Sequence, residues 1–340
     1  MNLLVTGVAG FIGAHVAQRL LARGDRVVGI DNLNDYYPVT LKHDRLARLE
    51  GRAEFRFERI DLADRAAMAA LFAEHRFERV VHLAAQAGVR YSLTHPMAYV
   101  DSNLVGFAHV LEGCRQHGVQ HLVYASSSSV YGGNAKRPYD ERDGVDHPVS
   151  LYAATKKANE AMAHSYSHLY RLPTTALRFF TVYGPYGRPD MAPSLFAEAM
   201  LAGRPLQLFN SGDMLRDFTY VDDVVEGVLR VLDKPATSDP RYDPLRPDPS
   251  TSSAPWRVFN IGHSEPVRLL DFVAALERAL GVQAQRELLP MQPGDVLSTE
   301  ASMAALEDWV GFRPLTGLDE GIARFAEWFR RYRAGGGASA

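Results

Sequence analysis

Leu3-Leu4-Val5-Thr6-Gly7-Val8-Ala9-Gly10-Phe11-Ile12-Gly13 reads as a short apolar strand that runs through a glycine-rich turn into a helix. Glycines lack a Cβ, so they let the chain turn sharply. They also let the backbone come close to an anion at the helix N-terminus, where free N–H groups and the helix dipole favour negative charge. The helix that follows repeats its apolar positions at Ile12, Val16 and Leu20. Further along, β-branched runs at Leu3–Thr6, Val27–Ile30, Phe55–Ile60, Val80–Leu83, His121–Ala125 and Thr175–Phe179 alternate with helical patterns such as Phe107, Leu111 and Cys114. Several of these runs are apolar without alternation, as strands covered on both faces are. Strand–helix alternation predicts an α/β protein built on a doubly wound parallel sheet.

In such a sheet a glycine turn between the first strand and the first helix is a dinucleotide site, and the fold expected is the Rossmann one. Asp31 closes the second strand, about 20 residues after the turn, where an acid hydrogen-bonds the adenosine ribose. A carboxylate there repels a 2′-phosphate, so the expected cofactor is NAD rather than NADP. Asp61-Leu62, after the third strand, is a candidate adenine contact, or alternatively a helix cap.

The second chemical signal is Tyr152-Ala153-Ala154-Thr155-Lys156, which sets a phenol and an ammonium on the same face of a helix. Free tyrosine ionises near pH ~10 and is a weak base at neutral pH. Positive charge nearby favours the phenolate, and Lys156 and an oxidised nicotinamide ring are the expected sources. Tyr152 then takes a proton from a sugar or alcohol hydroxyl as a hydride leaves for NAD. A hydroxyl from the run Ser126-Ser127-Ser128-Ser129, at the end of the fifth strand, would hold the same oxygen.

Composition bounds the rest. The 340 residues suffice for one large domain or two smaller ones. The expected division is an NAD-binding domain over 1–180, a smaller C-terminal substrate-binding lobe mainly within 181–333, and a disordered tail over 334–340. Net charge is −3 with both signs interspersed, which points to neither a nucleic-acid nor a membrane surface. The single cysteine, Cys114, excludes an internal disulfide framework and reads as a buried structural thiol. The N-terminus opens into a strand with no basic region, and no apolar run approaches the ~20 residues of a membrane span. A cytoplasmic location is expected. The stretch Asp233–Trp256, crowded with Pro, Asp and Ser, reads as a long surface loop, and a final helix is expected over Leu318–Arg333.

Taken together these residues resemble the extended short-chain dehydrogenase/reductase family, from Met1 to about Tyr332. The family-level motifs are Gly7-x-x-Gly10-x-x-Gly13, His82-Leu83-Ala84-Ala85, Ser126–Gly132, Tyr152-x-x-x-Lys156 and Leu177–Pro185. Aligning Val130-Tyr131-Gly132 with the family pattern makes Ser127 the catalytic serine beside Tyr152 and Lys156. The resemblance implies NAD contacts at Gly7, Gly10, Phe11, Ile12, Gly13, Asp31, Asn32, Asn34, Asp61, Leu62, Leu83, Ala84, Ala85, Asn103, Tyr152, Lys156 and Phe179. Within the family, Ala84–Ser92, Phe179–Pro185, Gly187–Asp190 and Met291–Asp295 look most like nucleotide-sugar 4-epimerases acting on UDP-glucuronate. A homodimer through the helices around Leu104–Gln116 and Tyr152–Arg171 is implied in the same way.

For such a substrate the 4-keto intermediate is a β-keto acid, which loses CO₂ when its C5–carboxyl bond stands perpendicular to the carbonyl. Hydroxyls and a planar guanidinium hold a carboxylate away from that geometry. Ser128, Ser129, Thr181 and Arg188 are the candidates, with Arg90 secondary; a loop salt bridge is the competing reading of Arg188. Look-alike dehydratases and decarboxylases carry an acid where Ser129 stands. Relatives often place an arginine on the diphosphate where Gln292 stands. Arg216 is carried over to the UDP phosphates, with a surface ion pair as its competing reading, and Asp295 completes the expected substrate set. The alternatives are a neutral UDP-hexose 4-epimerase, a decarboxylase or net oxidoreductase, and a non-catalytic NAD-binding regulator. No metal is expected: the twelve histidines show no metal-ligand set, and His164 and His168, four apart on the helix after Tyr152, have no glutamate beside them. His82 is expected to be a packed, hydrogen-bonded residue, and Asp222-Asp223 a helix cap.

Overall fold

The computed structural model describes residues 1–291 and 296–336. Its strands are β1 (Asn2–Thr6), β2 (Arg26–Asp31), β3 (Phe55–Arg59), β4 (Arg79–His82), β5 (His121–Ser127), β6 (Thr174–Phe179), β7 (Thr181–Tyr183), β8 (Leu206–Phe209), β9 (Leu215–Arg216), β10 (Phe218–Tyr220), β11 (Trp256–Ile261), β12 (Val267–Arg268) and β13 (Arg286–Leu289). The helices are α1 (Phe11–Ala22), α2 (Val39–Ala47), α3 (Arg65–His75), α4 (Tyr91–Thr94), α5 (Pro96–Tyr99), α6 (Gly106–Gln116), α7 (Leu151–Tyr170), α8 (Ala192–Leu201), α9 (Val221–Asp233), α10 (Leu269–Leu280), α11 (Ala304–Val310) and α12 (Leu318–Ala334).

Seven strands form one parallel sheet in the order β11-β6-β5-β4-β1-β2-β3. The six strands expected from sequence are all present; the seventh, β11, is drawn from far along the chain and pairs with β6. Alternation along each strand splits the core in two. Leu3 and Val5 pack with Val16 and Leu20 of α1, whereas Leu4 packs with Phe72 of α3 and Phe107 and Leu111 of α6. Cys114 is fully buried in the second cluster, and burial pushes its thiol well above the usual range.

Register brings the carboxyl ends of the strands to one edge. Thr6 lies opposite both Ile30 and His82, and Phe179 lies opposite both Ser127 and Ile261. The β7–β10, β9–β12 and β8–β13 pairs, each two-stranded, belong to the chain beyond Phe180.

Three expectations are corrected. Asp222 and Asp223 do not cap α9: Tyr220 precedes it without a side-chain cap, and both acids sit in the first turn, where the dipole still favours them. Asp61 is not the cap of α3 either, because Asp64 accepts the N–H groups of Ala66 and Ala67. Finally, α12 runs to Ala334, and Gly335 and Gly336 bond back to it, so the expected tail does not begin at 334. Residues 337–340 lie outside the described residues. Loop 234–255 is present as expected. Asp239, Asp243 and Asp248 hold it, each accepting the N–H two residues on.

Candidate active site

A cleft opens at the carboxyl edge of the sheet. At one end the glycine turn forms a cradle. Gly7 has φ +69°, and a Cβ on Gly13 would stand 2.1 Å from the Gly7 carbonyl oxygen, so neither position takes a larger residue. α1 starts directly after Gly10 with no side-chain cap, which leaves its first N–H groups for an anion. The diphosphate of a dinucleotide fits this cradle. Phe11, Ile12 and Gly10 line the cleft beside it, as do Leu83, Ala84 and Ala85 after β4.

Asp31, Asn32, Asn34, Asp61 and Leu62 line the same end. Asp31 accepts the Leu33 N–H at 2.8 Å, and Asn32 donates to Asp61 at 2.9 Å. The nearly buried Lys42 was not foreseen. Its ammonium donates to Asn34 at 2.7 Å and stands 3.9 Å from Asp31. Burial lowers its pKa, partly offset by Asp31. The Asp31 charge is therefore shared with a cation eleven residues along the chain, a pairing formed only when α2 folds back.

At the other end, Ser127 closes β5, and α7 presents Tyr152 and Lys156 one turn apart. Ser150 starts that helix by accepting the Ala153 N–H at 3.1 Å. Both side chains line the cleft with Ser127, Ser128, Ser129, Phe179, Thr181 and Arg188. The Ser127 hydroxyl donates to that of Ser129 at 3.1 Å.

The electrostatics differ from expectation. Burial raises the Tyr152 phenol, and the groups that offset this are the Ser127 hydroxyl and the Arg188 charge, not Lys156. The Lys156 ammonium is tied instead to the Ala125 carbonyl at 2.9 Å, and burial lowers it to about 8. Spacing along a helix brings two residues to one face; it does not say which acceptor the lysine reaches.

Arg188 both lines the cleft and forms a loop salt bridge. Its Nε donates to Asp190 at 3.0 Å, and a second N–H reaches the other carboxylate oxygen. Burial disfavours the guanidinium, but the Asp190 carboxylate outweighs it and holds the pKa above its usual value. Tyr36, also missed, donates to the same Asp190 at 3.0 Å; burial, then Asp190, pushes it to about 12.

Other expected residues lie elsewhere. Asn103 is buried behind the cleft wall: its side chain pairs with both the N–H and the carbonyl of Gln86, at 2.8 and 3.1 Å, and donates to Thr155 at 3.0 Å. Arg90 lies over the Phe209 ring, 5.1 Å from its centroid, and is not part of the cleft lining. Arg216, on β9, donates to the Leu215 and Leu297 carbonyls at 2.9 and 3.2 Å and is likewise outside the lining. Gln292 and Asp295 lie outside the described residues. His82 is packed as expected, bonded to Thr6 at 2.8 Å, and burial lowers it to about 3. His164 bonds to Ser252 at 2.9 Å. Among the described residues no His, Cys, Asp and Glu cluster has the makings of a metal site, and no helix is long and apolar enough to cross a membrane.

Comparison with known proteins places this geometry. Residues 3–244 match the NAD dependent epimerase/dehydratase family. UDP-glucuronate 4-epimerase 3 of Arabidopsis thaliana is 47% identical over 340 residues, covering 98% of this chain and 78% of the relative. The Bacillus cereus UDP-glucuronic acid 4-epimerase, solved with UDP-glucuronic acid and NAD, superposes with a TM-score of 0.86 at 32% identity, covering 97% of this chain and 99% of that one. The Thermotoga maritima UDP-glucose 4-epimerase, solved with UDP-glucose, superposes with a TM-score of 0.85 at 30% identity, covering 98% and 100%.

Proposed function

Because the chain belongs to the NAD dependent epimerase/dehydratase family, we propose that it is an isomerase that interconverts UDP-glucuronate and UDP-galacturonate at C4, with NAD as a bound cofactor. The observation that carries this choice of sugar is the gathering of Ser128, Ser129, Thr181 and Arg188 in the cleft that also holds Tyr152.

NAD, when bound, supplies the acceptor and later the donor of the hydride, together with a positively charged ring. The chain supplies the rest. Tyr152 takes the proton of the C4 hydroxyl and later returns it, with Ser127 bonded to the same oxygen. A desolvated phenol resists ionisation, so this base becomes competent only when positive charge enters the cleft. That confines the chemistry to the assembled complex. Lys156 adds a cation to the cleft from its anchor on Ala125.

The serines, Thr181 and Arg188 fix the substrate carboxylate near the plane of the C4 carbonyl, which suppresses loss of CO₂. Arg188 is already forked onto Asp190, so its plane is set before substrate arrives and less ordering is lost on binding. Ser129 stands where an acid would serve a dehydratase or a decarboxylase, and no base is thereby offered at C5. Gln292 and Asp295 complete the proposed substrate set, and Asn103 serves as a brace for Gln86 rather than as a direct contact.

A homodimer through α6 and α7, in the cytoplasm, is part of the same reading. Val105, directly ahead of α6, and Leu151 and Leu169 of α7 leave apolar side chains exposed.

A neutral UDP-hexose is the rival substrate, since the UDP-glucose 4-epimerase structure is nearly as similar. Assaying UDP-glucuronate and UDP-glucose with the wild type and with Arg188→Ala separates them. The proposal expects the variant to lose about 10²-fold on the uronate, the scale of removing a charge-assisted bond from a reacting complex, with little change on glucose. Equal activity of the two proteins on the uronate overturns it.

A further inference from the structure

Arg45 of α2 is fully buried, and among the described residues every hydrogen-bond partner of its guanidinium is neutral. It donates to the Ala9 carbonyl of the glycine turn at 3.0 Å and to the Tyr37 hydroxyl at 2.7 Å. It forks onto the Tyr186 carbonyl at 3.1 and 2.8 Å and reaches the Gly187 carbonyl at 3.4 Å. Among the described residues no carboxylate lies within ion-pair distance of it. A buried cation without a counter-ion is costly, and a fold that keeps one uses it for more than packing.

The segments it joins are the two halves of the cleft: Ala9 lies between Gly7 and Gly10 of the cofactor cradle, and Gly187 directly precedes Arg188. Tyr186 sits at φ +60°, a conformation that a bulky residue rarely adopts. Its carbonyl is held by Arg45, while its ring is covered by Arg48, 4.2 Å from the ring centroid, and by Trp328, with ring centroids 5.0 Å apart. Strain of this kind persists only where the surroundings over-determine it, and here it directs the chain into Arg188.

We propose that Arg45 is a positioning residue that couples the cofactor turn to the aim of Arg188. The diphosphate cradle and the substrate guanidinium are set by one rigid fork, so each is correctly placed only when the other is. A lysine carries the same charge but cannot span three carbonyls, so the role belongs to guanidinium geometry. The claim about Arg188 rests on the substrate reading above; the claim about the cofactor turn does not.

The test uses Arg45→Lys in the full chain. NAD binding to cofactor-stripped protein, followed by calorimetry, is expected to weaken about tenfold, with the fold retained by circular dichroism. Turnover of UDP-glucuronate is expected to fall about 10²-fold, the scale of a 1 Å misplacement, with a smaller loss on UDP-glucose. In an Arg188→Ala background the same substitution should add less than about threefold, because coupled sites are not additive. Unchanged NAD affinity, or losses that multiply independently, overturns the proposal. A second pair stands apart from Arg45 folding: Tyr186→Asn tolerates the left-handed turn, whereas β-branched Tyr186→Val does not. Only the valine variant should lose activity on the uronate selectively, and equal losses contradict the coupling. A wild type that binds NAD but ignores UDP-glucuronate sinks the substrate reading alone and leaves the NAD arm standing.

Discussion

Tyr152 is a half-buried phenol, and the Ser127 hydroxyl and the Arg188 charge offset the desolvation that raises it. The proposed role as proton acceptor makes a sharp expectation. Tyr152→Phe should lower turnover by about 10²–10⁴-fold, the usual contribution of a positioned acid–base group, while NAD binding measured on the same protein stays within about threefold. Lys156 is one turn further along and anchored on Ala125, with burial lowering it to about 8. Below that pH the ammonium is protonated; above it the cleft loses a cation. Turnover is therefore expected to fall as pH rises through about 8, and a pH–rate profile of Lys156→Met should lack that limb. The identities of both residues were legible from their spacing. The partner of the lysine was not, because the Ala125 carbonyl belongs to a strand brought beneath α7 by folding.

At the scale of the elements, apolar runs without alternation and 3.6-residue repeats placed all six amino-terminal strands and the glycine turn to within a residue or two. β11 was hidden because nothing local marks a strand that rejoins a sheet after a loop of some twenty residues. Lys42, Tyr36 and Arg45 were missed for a related reason: the segment after β2 reads as a polar loop and a short helix, and its charges acquire meaning only when it folds across the cleft. Close packing between helices is also specified by single residues. A Cβ on Gly113 of α6 would stand 2.3 Å from the Phe72 ring of α3. Gly113→Ala is therefore expected to destabilise the protein by about 1–3 kcal/mol in a denaturant titration, the cost of overpacking a core, with activity per folded molecule unchanged.

Over the whole molecule, the cleft floor is tied to the edge strand β11 by a buried polar chain. Ser126 donates to Glu160 at 2.6 Å, and Arg178 forks onto the same carboxylate at 2.9 Å in both contacts. Arg178 donates to Tyr131 at 3.0 Å, Tyr131 to Asn260 at 2.7 Å, and the Asn260 N–H to Glu141 at 2.6 Å. None of this was legible in the sequence, where Glu160 and Arg178 lie on different elements with nothing to mark them as a pair. Burial raises Glu141 to about 7. Between the ordinary carboxylate range and about 7, the folded protein keeps a proton that the unfolded chain has released. The stabilisation from this group is thus full below that range and is lost as pH rises through about 7. Glu141→Gln keeps the acceptor for Asn260 and cannot ionise. Thermal unfolding should therefore show the variant more stable than the wild type at pH 8 and close to it at pH 5.

The chain as a whole is read as an enzyme that removes and restores the hydrogen at C4 of a uronate without net redox. The most direct measurement is NMR of UDP-glucuronate deuterated at C4, incubated with the purified protein and no added cofactor. The account predicts UDP-galacturonate that keeps its deuterium at C4, with no CO₂ and no accumulating reduced nicotinamide. Deuterium lost to solvent, release of a UDP-pentose, or no conversion by protein that holds its NAD would contradict it.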